Sequence, residues 1–329
     1  MTDAAVPGGP AAWAAGGDGV AAAAVWPVLV APMVLAVFGY GAAAGTAVLR
    51  RHVSGVAAVG GLVAPARETV RLLVTQRRTV PGADALLWRL GGAIVPVAAV
   101  LAVLVIPVGG RAVSDLSVGV VWFNAMEVLV WAGLWLAGWG ANSVWGMAGG
   151  YRFLVQGLSY ELPHMFALTT AALGAGSLRV SEIVAAQQEQ VWFAVVMPVA
   201  LAVYLVSALA MAFWGPFDQA VGRDIAGGVT AELSGVDLLL ARAGRYLLLA
   251  AVAAMAVPLF LGGGAGPWLS GWAWSLVKAA VVLALLVWAG HRLPTVRMDR
   301  FTEVGWVVLL PATLLQALLV ACLILLGWG

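Results

Sequence analysis

The sequence has few charged residues, a single cysteine and three histidines. Cys322 is the only cysteine in 329 residues, which excludes an internal disulfide and any metal or iron–sulfur site built from cysteines. His52, His164 and His291 are too scattered to form a zinc site, so we expect no metal on this chain. The formal net charge is only +2, and no basic run alternates with aromatic residues. Nucleic acid is therefore not an expected partner.

Hydrophobic residues are what the sequence has in abundance. They make up 63% of the chain, charged residues make up 10%, and the mean hydropathy is +1.00. A soluble core of this size could not enclose so much apolar surface. The composition predicts an all-α polytopic membrane protein in contact with membrane lipids.

Apolar stretches long enough to cross about 30 Å of hydrocarbon number about eight. The predicted spans cover residues 25–49, 86–108, 118–140, 162–178, 191–213, 238–262, 268–290 and 304–327. We expect one membrane domain over 25–329. The Ala- and Gly-rich residues 1–24 are expected to form a disordered tail.

Arginines mark one side of the predicted bundle. The connections on that side contain Arg50, Arg51, Arg67, Arg71, Arg77, Arg78, Arg152, Arg223, Arg292, Arg297 and Arg300. The opposite connections offer only Arg111 and Arg179. The positive-inside rule therefore predicts that the arginine-rich side is cytoplasmic and that both termini lie outside.

The first cytoplasmic connection, residues 50–85, is unusually long. Arg67, Arg71 and Arg78 would share one face of a helix, with apolar residues between them. One interpretation is an interfacial helix that lies against the membrane or a partner subunit. The alternative is an ordinary basic loop.

Charged residues also fall inside the predicted spans. Glu127 lies well within the third span and Lys278 well within the seventh, at similar distances from the outer boundary. A charge at such depth needs a partner or a wet cavity, so a Glu127–Lys278 ion pair is one hypothesis. A protonated, silent glutamate and a proton or ion relay are the alternatives. Glu161 opens the fourth span, where a helix N-terminus alone could explain it, and His164 is interpreted as a packing residue.

The connection between Trp214 and Asp237 is the most polar segment between two spans. It carries Pro216-Phe217-Asp218, then Asp224, then Glu232-Leu233-Ser234-Gly235. Carboxylates held between membrane helices favour a functional site.

An ordered set of short motifs resembles the H subunit of bacterial NADH-quinone oxidoreductase, the subunit 1 family of respiratory complex I. The set covers roughly residues 65–325 and includes Arg152, Gln156, Ser159-Tyr160-Glu161, Pro216-Phe217-Asp218, Glu232-Leu233-Ser234-Gly235, Leu259-Phe260-Leu261-Gly262-Gly263, Lys278, Leu293-Pro294, Arg297, Asp299 and Gly305-Trp306. No single tripeptide is specific, but their order along the chain is.

The resemblance implies a membrane-arm subunit that is not catalytic alone. Such a subunit forms much of the chamber for a lipid quinone, ubiquinone or menaquinone, in a proton-translocating enzyme of the cell membrane. Its expected partners are other complex I membrane and peripheral-arm subunits, which carry NADH, flavin and iron–sulfur clusters; this chain would bind no cofactor of its own.

The resemblance also implies roles for particular residues. The proton-coupling set would be Glu127, Glu161, Asp224, Glu232 and Lys278. The quinone-chamber set would be Arg152, Tyr160, Phe217, Asp218, Arg297 and Asp299.

The sequence departs from the family at this same surface. The family has three closely spaced glutamates after Pro-Phe-Asp, whereas this chain reads Gln219-Ala220-Val221-Gly222-Arg223-Asp224. Only Asp224 replaces one of them. Two further hypotheses therefore stay open: the equivalent subunit of an energy-converting hydrogenase, and a non-catalytic membrane anchor or transporter.

Overall fold

The computed structural model describes residues 26–189 and 191–327. The predicted tail over residues 1–24 lies outside these described residues. Within them, all regular structure is helical apart from one isolated bridge between Val108 and Arg111. The predicted all-α class is confirmed.

Twelve α-helices build the described part of the chain. The first six are α1 (Trp26–Val53), α2 (Gly60–Val74), α3 (Ala85–Val103), α4 (Gly119–Gly140), α5 (Val144–Ala175) and α6 (Val180–Glu189). The second six are α7 (Phe193–Val196), α8 (Pro198–Met211), α9 (Gly235–Phe260), α10 (Gly271–Arg292), α11 (Met298–Val304) and α12 (Leu310–Leu325). A π-helical segment, Gly305–Leu309, joins α11 to α12.

Six helical segments in the described residues are long and apolar enough to cross a membrane. They are Pro27–Val53, Ala85–Val103, Gly119–Gly140, Gly235–Phe260, Gly271–Arg292 and Met298–Leu325. These six match the first, second, third, sixth, seventh and eighth predicted spans. The predicted count of eight stays a prediction, because the fourth and fifth predicted spans do not correspond to any of these six segments.

The fourth predicted span, 162–178, is the second half of a much longer helix. Helix α5 begins at Val144, directly after the extended residue Ser143, and continues to Ala175. The fifth predicted span, 191–213, is interrupted at Met197, between α7 and α8. Pro198 follows this break, and a residue before proline disfavours the helical region.

Helix α9 lies at the centre of the bundle. Residues 248–253 of this helix are all buried, and it packs against α1, α3, α8 and α10. Close approach of α3 to α4 depends on glycine: a Cβ at Gly91 would lie 2.3 Å from the backbone nitrogen of Ala137. Small residues at such contacts let helix backbones approach in a membrane protein.

The helix predicted in the first long connection is present as α2. It packs on α1, where Tyr40 donates a hydrogen bond of 2.7 Å to the carbonyl of Leu62. It ends at Val74, however, so Arg78 does not share its face with Arg67 and Arg71. The predicted three-arginine face is wrong in that respect.

Candidate functional site

A cavity of about 1460 Å³ lies at the arginine-rich end of the bundle. It is bounded by α1, α2, α5 and α9, by the connection over residues 213–230, and by residues 295–299, which lead into α11. Its charged and amide side chains are those of Arg50, Glu68, Arg152, Asp218, Gln219, Arg223, Asp224, Arg242, Arg245, Arg297 and Asp299.

The walls between the helices are mainly apolar or small. Helix α1 contributes Ala36, Gly39, Ala43 and Ala47, and α9 contributes Leu239, Ala243 and Leu247. The cavity therefore combines an apolar groove with a charged end. Such a shape fits a molecule with an apolar tail and a polar head.

Two ion pairs lie at the charged end, and the first of them joins α5 to the connection between α8 and α9. Arg152 lies 2.6 Å from Asp224, and Arg297 lies 3.3 Å from Asp299. The hydrogen bond from Arg152 holds the pKa of the Asp224 carboxyl below its usual range. Asp224 is therefore an anion at neutral pH, and its pair with Arg152 is lost as the pH falls through that lowered pKa.

A third ion pair connects two walls of the cavity. Glu68 on α2 accepts a hydrogen bond of 2.6 Å from Arg242 on α9. Its carboxylate also pairs with Arg71, whose hydrogen bonds lower the pKa of Glu68. This pair joins α2 to α9 at the centre of the bundle.

The connection between α8 and α9 rests directly on α5. A Cβ at Gly149 would lie 2.4 Å from the nitrogen of Val229 and 2.6 Å from the oxygen of Ala220, so only glycine allows this contact. The side chain of Gln219 donates a hydrogen bond to the carbonyl of Val296. The two connections at the charged end are therefore fixed to each other.

Four of the six predicted chamber residues line this cavity: Arg152, Asp218, Arg297 and Asp299. The other two do not. Tyr160 is fully buried between helices, where its hydroxyl accepts a hydrogen bond of 2.9 Å from Trp131. Phe217 turns toward α11, with its ring centre 4.3 Å from that of Phe301.

A polar cluster lies inside the bundle, between α4 and α5. Oε1 of Glu127 lies 3.1 Å from Nε2 of His164, and both side chains are buried. Asn124 donates a hydrogen bond of 3.1 Å to Glu161, and the Tyr204 ring lies 5.1 Å from that of His164. We call Asn124, Glu127, Glu161 and His164 the buried cluster.

The buried cluster has unused hydrogen-bonding capacity. Four of its enclosed atoms have no partner among the described residues: Asn124 Oδ1, Glu127 Oε2, Glu161 Oε2 and His164 Nδ1. Buried polar atoms usually have a hydrogen-bond partner, and enclosed water supplies it where protein does not. The cluster therefore has four atoms that can each take part in a further hydrogen bond.

Glu232, predicted to take part in proton coupling, lies where three connections meet. Its carboxylate accepts hydrogen bonds from Ser143, at 3.1 Å, and from Arg78, at 3.0 Å. These contacts tie the start of α9 to the chain around it. Glu232 lies neither in the cavity lining nor in the buried cluster.

The predicted pairing of Glu127 with Lys278 is wrong. Nζ of Lys278 donates to the carbonyl oxygens of Leu261, Gly263 and Ala265, at 2.6, 3.0 and 2.7 Å. These carbonyls lie in the turn that follows α9, where no helix supplies donors for them, and Lys278 satisfies them. Nζ also lies 4.1 Å from the centre of the Trp192 ring. Glu127 pairs with His164, which is therefore more than a packing residue.

Arg245 is the main residue that the sequence-based prediction missed. It lines the cavity from α9, donates a hydrogen bond to the carbonyl of Phe213, and lies over the rings of Phe213 and Trp214. A signal was present, because Arg242 and Arg245 both fall inside the predicted span 238–262. Charges inside a span indicate a functional position.

No group of three or more His, Cys, Asp or Glu side chains that could hold a metal ion occurs in the described ranges.

Comparison with known proteins identifies the family. The family model described as NADH dehydrogenase matches residues 21–321. The chain belongs to this family. It is 36% identical over 278 residues to NADH-quinone oxidoreductase H subunit 1 of Geobacter metallireducens, covering 81% of this chain and 84% of the relative.

Two further relatives agree with that result. NADH-quinone oxidoreductase H subunit 2 of Geobacter sulfurreducens is 37% identical over 79% of this chain and 82% of its own length. The protein of the same name from Cereibacter sphaeroides strain ATH 2.4.9 is 37% identical over 77% of this chain and 80% of its own length. Together with the apolar helices, this membership identifies a multi-pass membrane protein.

Proposed function

We propose that the chain is the membrane subunit of an NADH-quinone oxidoreductase in which the cavity holds the head of a lipid quinone. The observation that carries the proposal is the cavity itself, with small and apolar walls from α1 and α9 and a charged end. A lipid quinone has a long apolar tail and a head with two carbonyl acceptors. The cavity offers a matching surface to each part.

The chain would supply the site, and its partners would supply the electrons. NADH, flavin and iron–sulfur clusters belong to the peripheral-arm subunits, and quinone is the substrate at the junction. Quinone takes up two electrons and two protons to become quinol. Ubiquinone and menaquinone share this head chemistry, so both fit the proposal.

The arginine-rich end would face the cytoplasm and the peripheral arm. Arg50, Arg152, Arg223 and Arg297 all line the cavity at that end. Cytoplasmic connections are enriched in arginine, which supports this orientation in the cell membrane. The proposed junction with the redox subunits therefore lies where the cavity's charged side chains meet the surface.

The buried cluster would receive the electrostatic effect of quinone reduction. Arg152 and Glu161 are nine positions apart on α5, a rise of about 13 Å, so one helix connects the cavity to the cluster. A change of charge in the cavity alters the field on Glu161 and, beyond it, on Glu127 and His164. Their unpartnered oxygen and nitrogen atoms can exchange a proton through enclosed water.

Removing the Glu161 carboxylate tests this proposal. Glu161→Gln keeps the size and the hydrogen bond with Asn124 but cannot carry a proton, so we expect most proton translocation coupled to quinone reduction to be lost. Glu182→Gln, on the exposed face of α6, is the matched control. Proton uptake and quinone reduction are measured on the assembled complex in sealed vesicles. Wild-type rates of both in Glu161→Gln would contradict the coupling role.

A further inference from the structure

Arg245 is held in one orientation in the wall of the cavity. Its Nη2 donates a hydrogen bond to the carbonyl of Phe213. Its guanidinium carbon lies 5.1 Å from the ring centre of Phe213 and 4.8 Å from that of Trp214. Cation–π contacts within about 6 Å stabilise such stacking. The guanidinium plane is therefore fixed before any ligand enters.

The fixed guanidinium has donors to spare. An arginine side chain carries five N–H donors and no acceptor. Among the described residues, the hydrogen bond from Nη2 to Phe213 is the one that this side chain makes, so Nη1 keeps its N–H donors for a ligand, whereas Nε is enclosed by protein. A ligand with an acceptor oxygen in the cavity would accept a hydrogen bond from these unused donors.

The other arginines of the cavity are already engaged or lie in water. Arg152, Arg242 and Arg297 each pair with a carboxylate. Arg50 and Arg223 have no carboxylate partner among the described residues, but both are exposed. Arg245 is half-buried in α9, so hydrogen bonds to it compete less with water than hydrogen bonds to exposed arginines.

We infer that Arg245 binds the quinone head by donating hydrogen bonds to one of its carbonyl oxygens. The inference rests on the proposed function and names the residue that would carry substrate affinity. A quinone has acceptors and no donors, whereas the guanidinium has donors and no acceptors, so the pair is complementary. The planar fork can reach one carbonyl oxygen while the stacked rings of Phe213 and Trp214 keep it in place.

An anionic phospholipid headgroup is the competing ligand, and one neighbour disfavours it. Asp218 lines the same cavity and acts electrostatically on Arg245. Its carboxylate would repel a phosphate, whereas a neutral quinone carbonyl suffers no such repulsion. The exposed Arg50 and Arg223 suit a phosphate better than Arg245 does.

The test compares two Arg245 variants with two matched controls. Arg245→Lys keeps the charge without the planar fork, and Arg245→Met removes the charge while keeping an apolar chain of similar length. Arg89→Lys and Arg89→Met are the controls, because Arg89 is an exposed arginine on α3 outside the cavity. The assembled complex is assayed with short-tailed benzoquinones and naphthoquinones. A photoreactive quinone with its reactive group on the head then maps the labelled peptide.

The expected result is a change in KM rather than a general loss of activity. Losing a hydrogen bond from a charged donor raises KM for quinone about tenfold to a hundredfold in Arg245→Met. We expect a smaller rise in Arg245→Lys and wild-type values in both Arg89 variants. In wild type the probe should label residues 239–247, and this labelling should fall in Arg245→Met. If Arg245→Met does not assemble, the KM of Arg245→Lys tests the inference alone: a raised KM supports it and a wild-type KM contradicts it.

Three results would overturn the inference. Wild-type KM and labelling in the Arg245 variants would leave the quinone cavity in place but remove Arg245 from head binding. Displacement of the probe by phosphatidylglycerol vesicles in wild type, but not in Arg245→Met, would assign the site to a lipid phosphate. If the wild-type complex showed no quinone reduction and no labelling, the proposed function would fail, and this inference would fail with it.

Discussion

At the scale of single residues, the apolar interior keeps its charged groups by giving each one a specific partner. Glu127 contacts His164, Lys278 caps the carbonyls that follow α9, and Arg245 combines one carbonyl with two aromatic rings. An unpaired charge among these apolar helices would lower the free energy of unfolding by roughly 3 kcal/mol, so each contact also contributes to stability. The same groups therefore stabilise the fold and can also take part in proton transfer or ligand binding.

Glu127 and His164 should depend on each other for stability. Glu127→Leu and His164→Leu should each destabilise the protein, because each leaves a buried polar partner alone. The double variant should lose less than the sum, with a coupling of roughly 0.5–3 kcal/mol. The measurement is chemical denaturation of the purified chain in detergent, with Glu127→Leu plus Lys278→Met as the comparison cycle. Additive losses for Glu127 and His164, or strong coupling of Glu127 to Lys278, would contradict the observed pairing.

The sequence predicted similar depths for Glu127 and Lys278 and, from them, the wrong contact. Counting residues from a helix start gives a position along the membrane normal, but it does not give the direction in which a side chain points. His164 faces Glu127 because α4 packs on α5. That packing depends on where α5 begins, and the predicted span placed its start eighteen residues too late.

At the scale of elements, the connection between α8 and α9 forms the charged end of the cavity. It has no long helix of its own, only short 3₁₀ turns at Gln219–Val221, Arg223–Ile225 and Gly228–Thr230. It is held by side chains on other elements, such as Arg152 on α5, and by close contact with Gly149. The position of the charged residues therefore depends on packing against α5.

Gly149→Ala should disturb the cavity without removing any polar group. The new Cβ would overlap the backbone of Val229 and Ala220, so the connection must move away from α5. We expect a higher KM for quinone in the assembled complex. Gly176→Ala is a control for glycine removal at the end of the same helix, because a Cβ there meets nothing, although its positive φ adds strain. A wild-type KM in Gly149→Ala would show that the connection does not set the cavity's shape.

Helix boundaries illustrate which features the sequence could predict. Six spans match six apolar helices because a long apolar run in a membrane has few alternatives to helix. The start of α5 was missed because residues 144–161 carry polar side chains such as Arg152, Gln156 and Glu161. Those side chains point into the cavity or the bundle, so they do not end the helix. The break before Pro198 was readable from the proline itself.

At the scale of the whole molecule, the two ends of the bundle differ in charge. The cavity end contains Arg50, Arg152, Arg223 and Arg297, whereas the opposite end contains Arg111 and Arg179, the second of them paired with Asp115. The ordered motifs predicted the family, which the comparisons confirm. They could not place Tyr160 and Phe217, because short motifs carry no side-chain direction.

The charge asymmetry predicts the topology. A reporter fused after Gly329 should indicate a location outside the cytoplasm. The same reporter inserted in the connection at Gly55 should indicate a cytoplasmic location, so the two fusions control for each other. A cytoplasmic signal after Gly329 would require a different number of membrane crossings.

The central claim is that quinone reaches the cavity between α1 and α9. Ala43 lines that cavity from α1, and Val37 lies on the same helix but is exposed elsewhere. In a background with Cys322→Ser, which removes the native cysteine, Ala43→Cys and Val37→Cys would each be labelled with a bulky maleimide. The measurement is NADH oxidation by quinone compared with NADH oxidation by a hydrophilic acceptor. We predict that labelling Ala43→Cys blocks quinone reduction, spares the hydrophilic acceptor and leaves Val37→Cys active. Full quinone reduction after complete labelling of Ala43→Cys would contradict the account.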